Sequence, residues 1–197
     1  MARVYVGMSG GVDSSVAAAL LVEQGHEVTG VYMKNWSEDL PGMHCPWADD
    51  VADAKRVAVG LGIDFRVFDF QRQYKQNVVD YMIREYQAGR TPNPDVMCNQ
   101  EVKFKLFLQA ALAAGAEYIA TGHYARVTHP ANSTAQSPPE GFLESSAKLR
   151  RARDDTKDQT YFLYRVTSEA LAKTLFPLGE FTKAEVRQMA TQRGLWT

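Results

Sequence analysis

Residues 4–24, VYVGMSGGVDSSVAAALLVEQ, constrain the fold more than any other stretch. A short apolar run, Val4 to Met8, passes directly into Ser9-Gly10-Gly11-Val12-Asp13-Ser14-Ser15. Ala and Leu then recur at helical spacing from Val16 until Gly25. That order describes a buried strand turning sharply into a helix closed by glycine. Related units follow. HEVTGVYMKNW, from His26, reads as a strand, and 46–61 reads as a helix with Val51, Ala54, Val57, Ala58 and Leu61 on one face. IDFRVFDF (63–70) is a strand, 71–88 a long helix ending at Gly89, and 91–97 a proline turn. A helix near 98–114 and a strand at 117–121, EYIAT, come next. Strands alternating with helices of this length predict an α/β fold. It is a doubly wound, mainly parallel, Rossmann-like sheet with helices on both faces.

Composition narrows the class. With 45% hydrophobic and 23% charged residues in 197, wholesale disorder and a fibrous fold are excluded. A net charge of −1 supplies no global basic field, so nucleic-acid binding needs a local patch. Two cysteines, Cys45 and Cys98, cannot build a disulfide framework or a full zinc ligand set, and a reducing cytosol is the expected compartment. The N-terminus does not read as a signal or transit peptide, and no run approaches membrane-spanning length. The expectation is therefore a cytoplasmic protein without a membrane partner.

Composition shifts at 128–148, a Ser/Pro/Ala-rich stretch read as a flexible excursion. Order returns at DQTYFLYRV, followed by expected helices over 167–175 and 182–193. The expected organisation is one domain over 1–166, with 167–197 the helical start of a linker or further module.

Ligands of an open α/β sheet bind at the carboxyl ends of its strands, where Gly7 to Ser15 lies. Gly10 and Gly11 let the backbone approach a ligand and turn N–H groups toward it. Ser9, Ser14 and Ser15 add hydroxyls, and the helix start adds a positive end suited to phosphate. The loop is not a Walker A sequence and lacks G-x-G-x-x-G spacing. A tight connection capped by Asp13 or Ser14 is the plainer alternative. S-G-G-V-D-S-S between strand and helix favours phosphate.

This loop resembles the pyrophosphate-binding loop of the ATP pyrophosphatase superfamily (adenine nucleotide alpha hydrolase-like folds), which releases pyrophosphate and leaves an adenylated substrate. Four further stretches narrow the resemblance: YMKNW (32–36), GRTPNPDVMCNQEVKFK (89–105), ATGHYAR (120–126) and KDQTYFLYRV (157–166). Together they resemble the tRNA-specific 2-thiouridylases, with NPD-x-x-CN the most discriminating. The resemblance implies that Gly7, Met8, Ser9, Gly10, Gly11, Val12, Asp13 and Ser14 hold the ATP phosphates, with Met33 and Gly122 against the nucleotide. It implies that Asn93, Pro94 and Asp95 touch the target base and that Cys98 and Asp95 are catalytic. His123, Lys157, Asp158 and Gln159 are implied to contact tRNA. ATP and Mg²⁺ are the implied cofactors, with Asp13 a candidate Mg²⁺ partner. The implied partners are tRNA and a persulfide-carrying sulfur donor protein.

The implied reaction is ATP-dependent 2-thiolation of the wobble uridine. A thiol at a helix start is favoured as thiolate by the helix dipole, whereas Asp95 opposes it; the sequence leaves these two effects open. Lys157 is a candidate for neutralising phosphate charge. Lys103, Lys105, Arg84, Arg90 and the run 148–153 are either a phosphate-tracking surface or solvated faces. Cys45 beside His44 shows no metal ligand set and reads as structural, and Trp36 and Trp47 read as packing residues. The family's second cysteine lies in a D-S-x-G-x-C-F segment after G-L-x-T, and the sequence stops at Gly194-Leu195-Trp196-Thr197. A piece of a longer enzyme is therefore expected. The alternatives are a non-catalytic ATP- and tRNA-binding module, or a small-molecule adenylating synthetase of the GMP synthetase kind.

Overall fold

The computed structural model describes residues 1–38, 45–129 and 147–196. Five parallel strands form the central sheet: β1 (Arg3–Gly7), β2 (Glu27–Lys34), β3 (Asp64–Asp69), β4 (Tyr118–Ala120) and β7 (Thr174–Leu175), in the order β3-β2-β1-β4-β7. β5 (Arg126–Thr128) and β6 (Lys148–Arg150) pair antiparallel as a separate ribbon. Within the stretch 128–148, residues 130–146 lie outside the described residues.

Six helices complete the described fold: α1 (Val12–Glu23), α2 (Trp47–Leu61), α3 (residues 71–87), α4 (residues 94–113), α5 (Ser168–Ala172) and α6 (Lys183–Gln192). α3 and α4 each contain a wider, π-type stretch, Lys75–Val79 and Cys98–Phe107. π-type turns inside helices are often found at functional sites.

Alternation along β1 divides the core. Val4 and Val6 pack with Leu21 of α1 and with Ala54, Val57 and Ala58 of α2. Tyr5 points the other way, toward Val78 of α3 and Phe104, Phe107 and Leu108 of α4. A third cluster joins the far side of α1, through Val16, Ala17 and Leu20, to Val186 and Ala190 of α6. Helices thus cover both faces, as the alternating pattern predicts. Phe107 is fully buried, and truncating such a side chain costs roughly 3–5 kcal/mol.

Two elements differ from the sequence reading. α4 begins at Pro94 and not at 98, because the Asn93 side chain caps it by accepting hydrogen bonds from the Asp95 and Val96 amides. Pro94 takes the first helical position, where its missing N–H does no harm. The run expected as helix over 167–175 ends at Ala172, and Thr174–Leu175 adds an edge strand to β4. Residues from 167 onward thus supply an edge strand and two helices to this same body.

Candidate nucleotide-binding site

Chain direction across the sheet reverses between β1 and β4, since β2 and β3 lie to one side of β1 and β4 and β7 to the other. Such a reversal opens a crevice at the carboxyl ends of the two strands. A cleft of about 480 Å³ lies there, lined by residues that include Gly7, Met8, Ser9, Asp13, Ser14, Met33, Gly122, His123 and Gln159.

The loop from β1 to α1 is held by its own serines. Ser14 Oγ donates to the Gly11 carbonyl at 3.1 Å and accepts from the Ser9 amide at 3.2 Å; Ser15 Oγ donates to the same carbonyl at 2.9 Å. No side chain caps α1 at Gly11, so neither Asp13 nor Ser14 is an N-cap. Gly10 has φ +79°, and a Cβ there would come within 3.0 Å of the Asp50 carbonyl oxygen and the Asp53 Cβ. Gly122 lets the segment after β4 press on the start of α1, where a Cβ would lie 2.7 Å from the Ser14 nitrogen. An uncapped twelve-residue helix behind a glycine loop suits an anion.

Asp13 is engaged on two sides. Lys183 Nζ donates to its oxygens at 2.6 and 2.8 Å, and the Tyr124 hydroxyl donates to Oδ1 at 2.9 Å. Burial, then the Asp13 carboxylate, push the Tyr124 phenol far above its usual range, so it remains a donor. Asp50, which also lines the cleft, is raised by burial and by the nearby Asp53 and Asp49. Among the described residues no three His, Cys, Asp or Glu side chains cluster to hold a metal ion. With both Asp13 oxygens on Lys183, the residues present do not form a metal site of their own.

The cleft is also lined by Tyr32 and Asn35, which the sequence did not single out, and by Trp36 and Trp47. Trp36 and Trp47 thus face the cleft, beyond the packing role expected of them, and Lys34 Nζ stacks 3.9 Å from the Trp47 ring centroid. Asn35 Oδ1 is buried without a hydrogen-bond donor among the described residues. Such an atom suits a ligand donor. Cys45 also lines the cleft, while His44 lies outside the described residues.

The thiol is placed differently. Cys98 is half-buried in the second turn of α4 and is not among the cleft's lining residues. Burial pushes its pKa up; Lys103 pulls it down and Asp95 pushes it up further. The helix start expected to favour a thiolate lies at Pro94, so burial decides the direction that the sequence left open. Asp95 is exposed one turn earlier on the same helix. Lys103 links the two regions: it lines the cleft and acts on both Cys98 and His123. It is the lysine in the cleft lining; Lys157 is exposed outside it.

His123 lines the cleft but is only 9% exposed. Its Nδ1 shares a 2.7 Å hydrogen bond with Thr121 Oγ1, and Phe104 and Phe176 flank the ring. Burial, then Lys103, hold its pKa well below the usual histidine value. Gln159 clamps Tyr124 in both directions, each bond 2.9 Å. Asp158 accepts from the Ala152 amide at 2.8 Å and from Thr160 Oγ1 at 2.6 Å. Asn93, Pro94, Lys157 and Asp158 lie outside the cleft lining.

A parallel sheet, a serine-braced glycine loop at its reversal point and a cleft beside it define a doubly wound, Rossmann-like α/β protein with a candidate ligand site at its switch point. Residues 2–197 match the tRNA methyl transferase HUP domain family, and the chain belongs to it. It is 51% identical to a protein named tRNA-specific 2-thiouridylase MnmA from Christiangramia forsetii, over all of this chain and 48% of that protein. The protein of the same name from Akkermansia muciniphila is 52% identical over 100% of this chain and 52% of its own length. The chain spans about half the length of the curated relatives it matches. Among solved structures, a 4-thiouridine synthetase–RNA complex with bound ATP superposes with a TM-score of 0.57 at 17% identity, over 99% of this chain and 41% of that one. A predicted tRNA methyltransferase subunit from Methanocaldococcus jannaschii gives 0.53 at 18% identity, over 97% and 76%. At those identities the likeness establishes the fold.

No helix among the described residues is long and apolar enough to cross a membrane.

Proposed function

We propose that this chain is the ATP-binding and uridine-activating part of a tRNA 2-thiouridylase, working in the cytoplasm. The observation that carries this reading is the pairing of the glycine loop at the β1–β4 crevice with about 50% identity, over the whole chain, to proteins named tRNA-specific 2-thiouridylase. ATP lies in the cleft with its β- and γ-phosphates on Ser9 to Ser14, where backbone amides and the α1 start oppose their charge. Tyr32, Met33 and Trp36 hold the nucleoside, and the Asn35 acceptor takes one of its donors. Lys103 offsets charge near the α-phosphate. Mg²⁺ would be carried by the nucleotide and not by Asp13, which Lys183 holds, and would supply neutralisation of phosphate charge.

Gripping the two outer phosphates leaves the α-phosphorus open to in-line attack. The uridine C2 oxygen is a poor leaving group; it attacks the α-phosphorus, pyrophosphate departs, and the base carries AMP. Sulfur then adds at C2, and AMP leaves with the original oxygen. Asn93, Pro94 and Asp95 orient the base. His123, neutral and anchored to Thr121, shapes the tRNA-facing wall with Gln159, and Lys157 and Asp158 contact the tRNA. The sulfur that adds is the outer sulfur of a donor protein's cysteine persulfide. The Cys98 thiolate then attacks the donor's inner sulfur and breaks the S–S bond, so that 2-thiouridine is released and a Cys98–donor disulfide remains for an external thiol to reduce.

The test is pyrophosphate release from ATP by this chain with tRNA lacking the 2-thio group. We expect release to rise with that tRNA and to stay at background with xanthosine monophosphate or other small acceptors. Release driven by a small acceptor in place of tRNA would overturn the assignment.

A further inference from the structure

Tyr161 and Tyr164 are 67% and 66% exposed, more than any other aromatic residue of the described chain except Trp196. Their rings are in mutual contact, with centroids 6.3 Å apart and planes inclined at 39°. No other two exposed large apolar residues among those described form a ring contact. Phe162 lies between them in sequence and braces Tyr161 edge-on, with centroids 5.4 Å apart. An exposed aromatic pair held in place without burial is an unusual use of apolar surface.

The position of the pair says what it serves. Both sit on or beside the short turn Thr160–Leu163, which follows Gln159 of the cleft. Leu163 is fully buried beneath the turn, and the Phe162 carbonyl accepts a 3.1 Å hydrogen bond from Asn99 Nδ2, next to Cys98. Arg165 Nη1 lies 3.5 Å from Met97 Sδ of the same helix. The turn is thus fastened to the segment carrying Asp95 and Cys98, and its tyrosines face solvent beside it. Lys157 and Arg165 flank the pair in sequence; both are exposed, and neither forms an ion pair among the described residues.

We propose that Tyr161 and Tyr164 form a stacking platform for unpaired nucleobases of the RNA, next to the target base; this rests on the tRNA reading above. Exposed aromatic faces beside unneutralised cations suit single-stranded RNA, whose bases stack while its phosphates meet the positive charges. A base pulled from its stack leaves neighbours unstacked, and two adjacent rings are matched to receive them.

The experiment uses an anticodon stem–loop oligonucleotide with 2-aminopurine beside the wobble uridine. Wild-type chain should bind it and quench the probe through stacking. Tyr161→Ala and Tyr164→Ala should each weaken binding by about fivefold or more and relieve the quench, while Tyr161→Phe and Tyr164→Trp retain both. Thermal unfolding of each variant checks that the fold is intact. Alanine variants that bind and quench like wild type overturn the proposal. So does loss of sulfur transfer from a persulfide protein with RNA binding intact, which assigns the pair to a protein interface. A wild-type chain that fails to bind the stem–loop overturns the tRNA reading itself, and the platform with it.

Discussion

Lys183 Nζ lies 2.6 and 2.8 Å from the two carboxylate oxygens of Asp13, joining the first turn of α6 to the first turn of α1 across 170 positions of sequence. The pair is only partly exposed, at 23% and 34%, and lies where the phosphates are proposed to bind. Its direct contribution to stability is modest, about 0.5–1 kcal/mol. Its larger effect is electrostatic: without the lysine, the Asp13 charge faces the ligand uncompensated. Lys183→Met should weaken ATP binding by about tenfold, and Asp13→Asn in the same chain should recover part of that loss. Calorimetric titration of the single and double variants measures the coupling; strictly additive effects would contradict it.

Gly122 tests the contact between the β4 end and the loop. A Cβ there would meet the Ser14 nitrogen at 2.7 Å and the Asp13 carbonyl carbon at 2.8 Å, both backbone atoms that cannot swing aside. Gly122→Ala should cost roughly 1–3 kcal/mol and sharply reduce ATP affinity. Gly60→Ala, in α2 with nothing within 4 Å of the added Cβ, should stabilise by about 0.5–1 kcal/mol. Denaturant midpoints of the two variants should move in opposite directions.

Alkylation of Cys98 should follow a thiol whose pKa is raised. Burial is the main cause; Lys103 acts against it and Asp95 with it. In the nucleotide-free chain, the pH midpoint of iodoacetamide labelling at Cys98, followed by peptide mass spectrometry, should lie above that of a free thiol, about 8.5. Asp95→Asn should lower the midpoint and Lys103→Met should raise it. Because the folded pKa is the higher, this thiol's contribution to stability is present below the unfolded value and lost as pH rises through the folded one.

His123 gives the opposite window. Its folded pKa is depressed by burial and by Lys103, so the unfolded chain takes up its proton first as pH falls. Its contribution is present above the unfolded value, about 6.5, and lost on acidification toward the folded one. Urea denaturation at about pH 7.5 and about pH 5.5 should show a smaller acid loss in His123→Gln, which keeps a polar partner for Thr121.

Much of the fold was legible because strand, loop and helix each carry their own local signal. The apolar run before Gly10 and Gly11, the alternation of 63–70 and the Ala-rich face after Val16 announce β1, β3 and α1 without tertiary information. What stayed hidden depends on partners. Asn93 reads as a turn residue until its side chain is seen capping α4, which moves Cys98 from the helix start into its second turn. Thr174–Leu175 is too short for periodicity to mark, and becomes a strand only because β4 offers it a ladder. Trp36 and Trp47 are indistinguishable from packing residues by composition. Only the folded chain shows that they line the cleft. The contact between Lys183 and Asp13 has no local signature at all.

The decisive measurement follows the uridine oxygen into AMP. Unmodified tRNA carrying a heavy oxygen isotope at C2 of the wobble uridine is incubated with the chain, ATP and inorganic sulfide, and the AMP formed is weighed by mass spectrometry. If the uridine oxygen attacks the α-phosphorus and leaves with it, the AMP carries the heavy oxygen and the uridine gains sulfur in equal amount. AMP carrying only ordinary oxygen, or ADP in its place, would contradict the account.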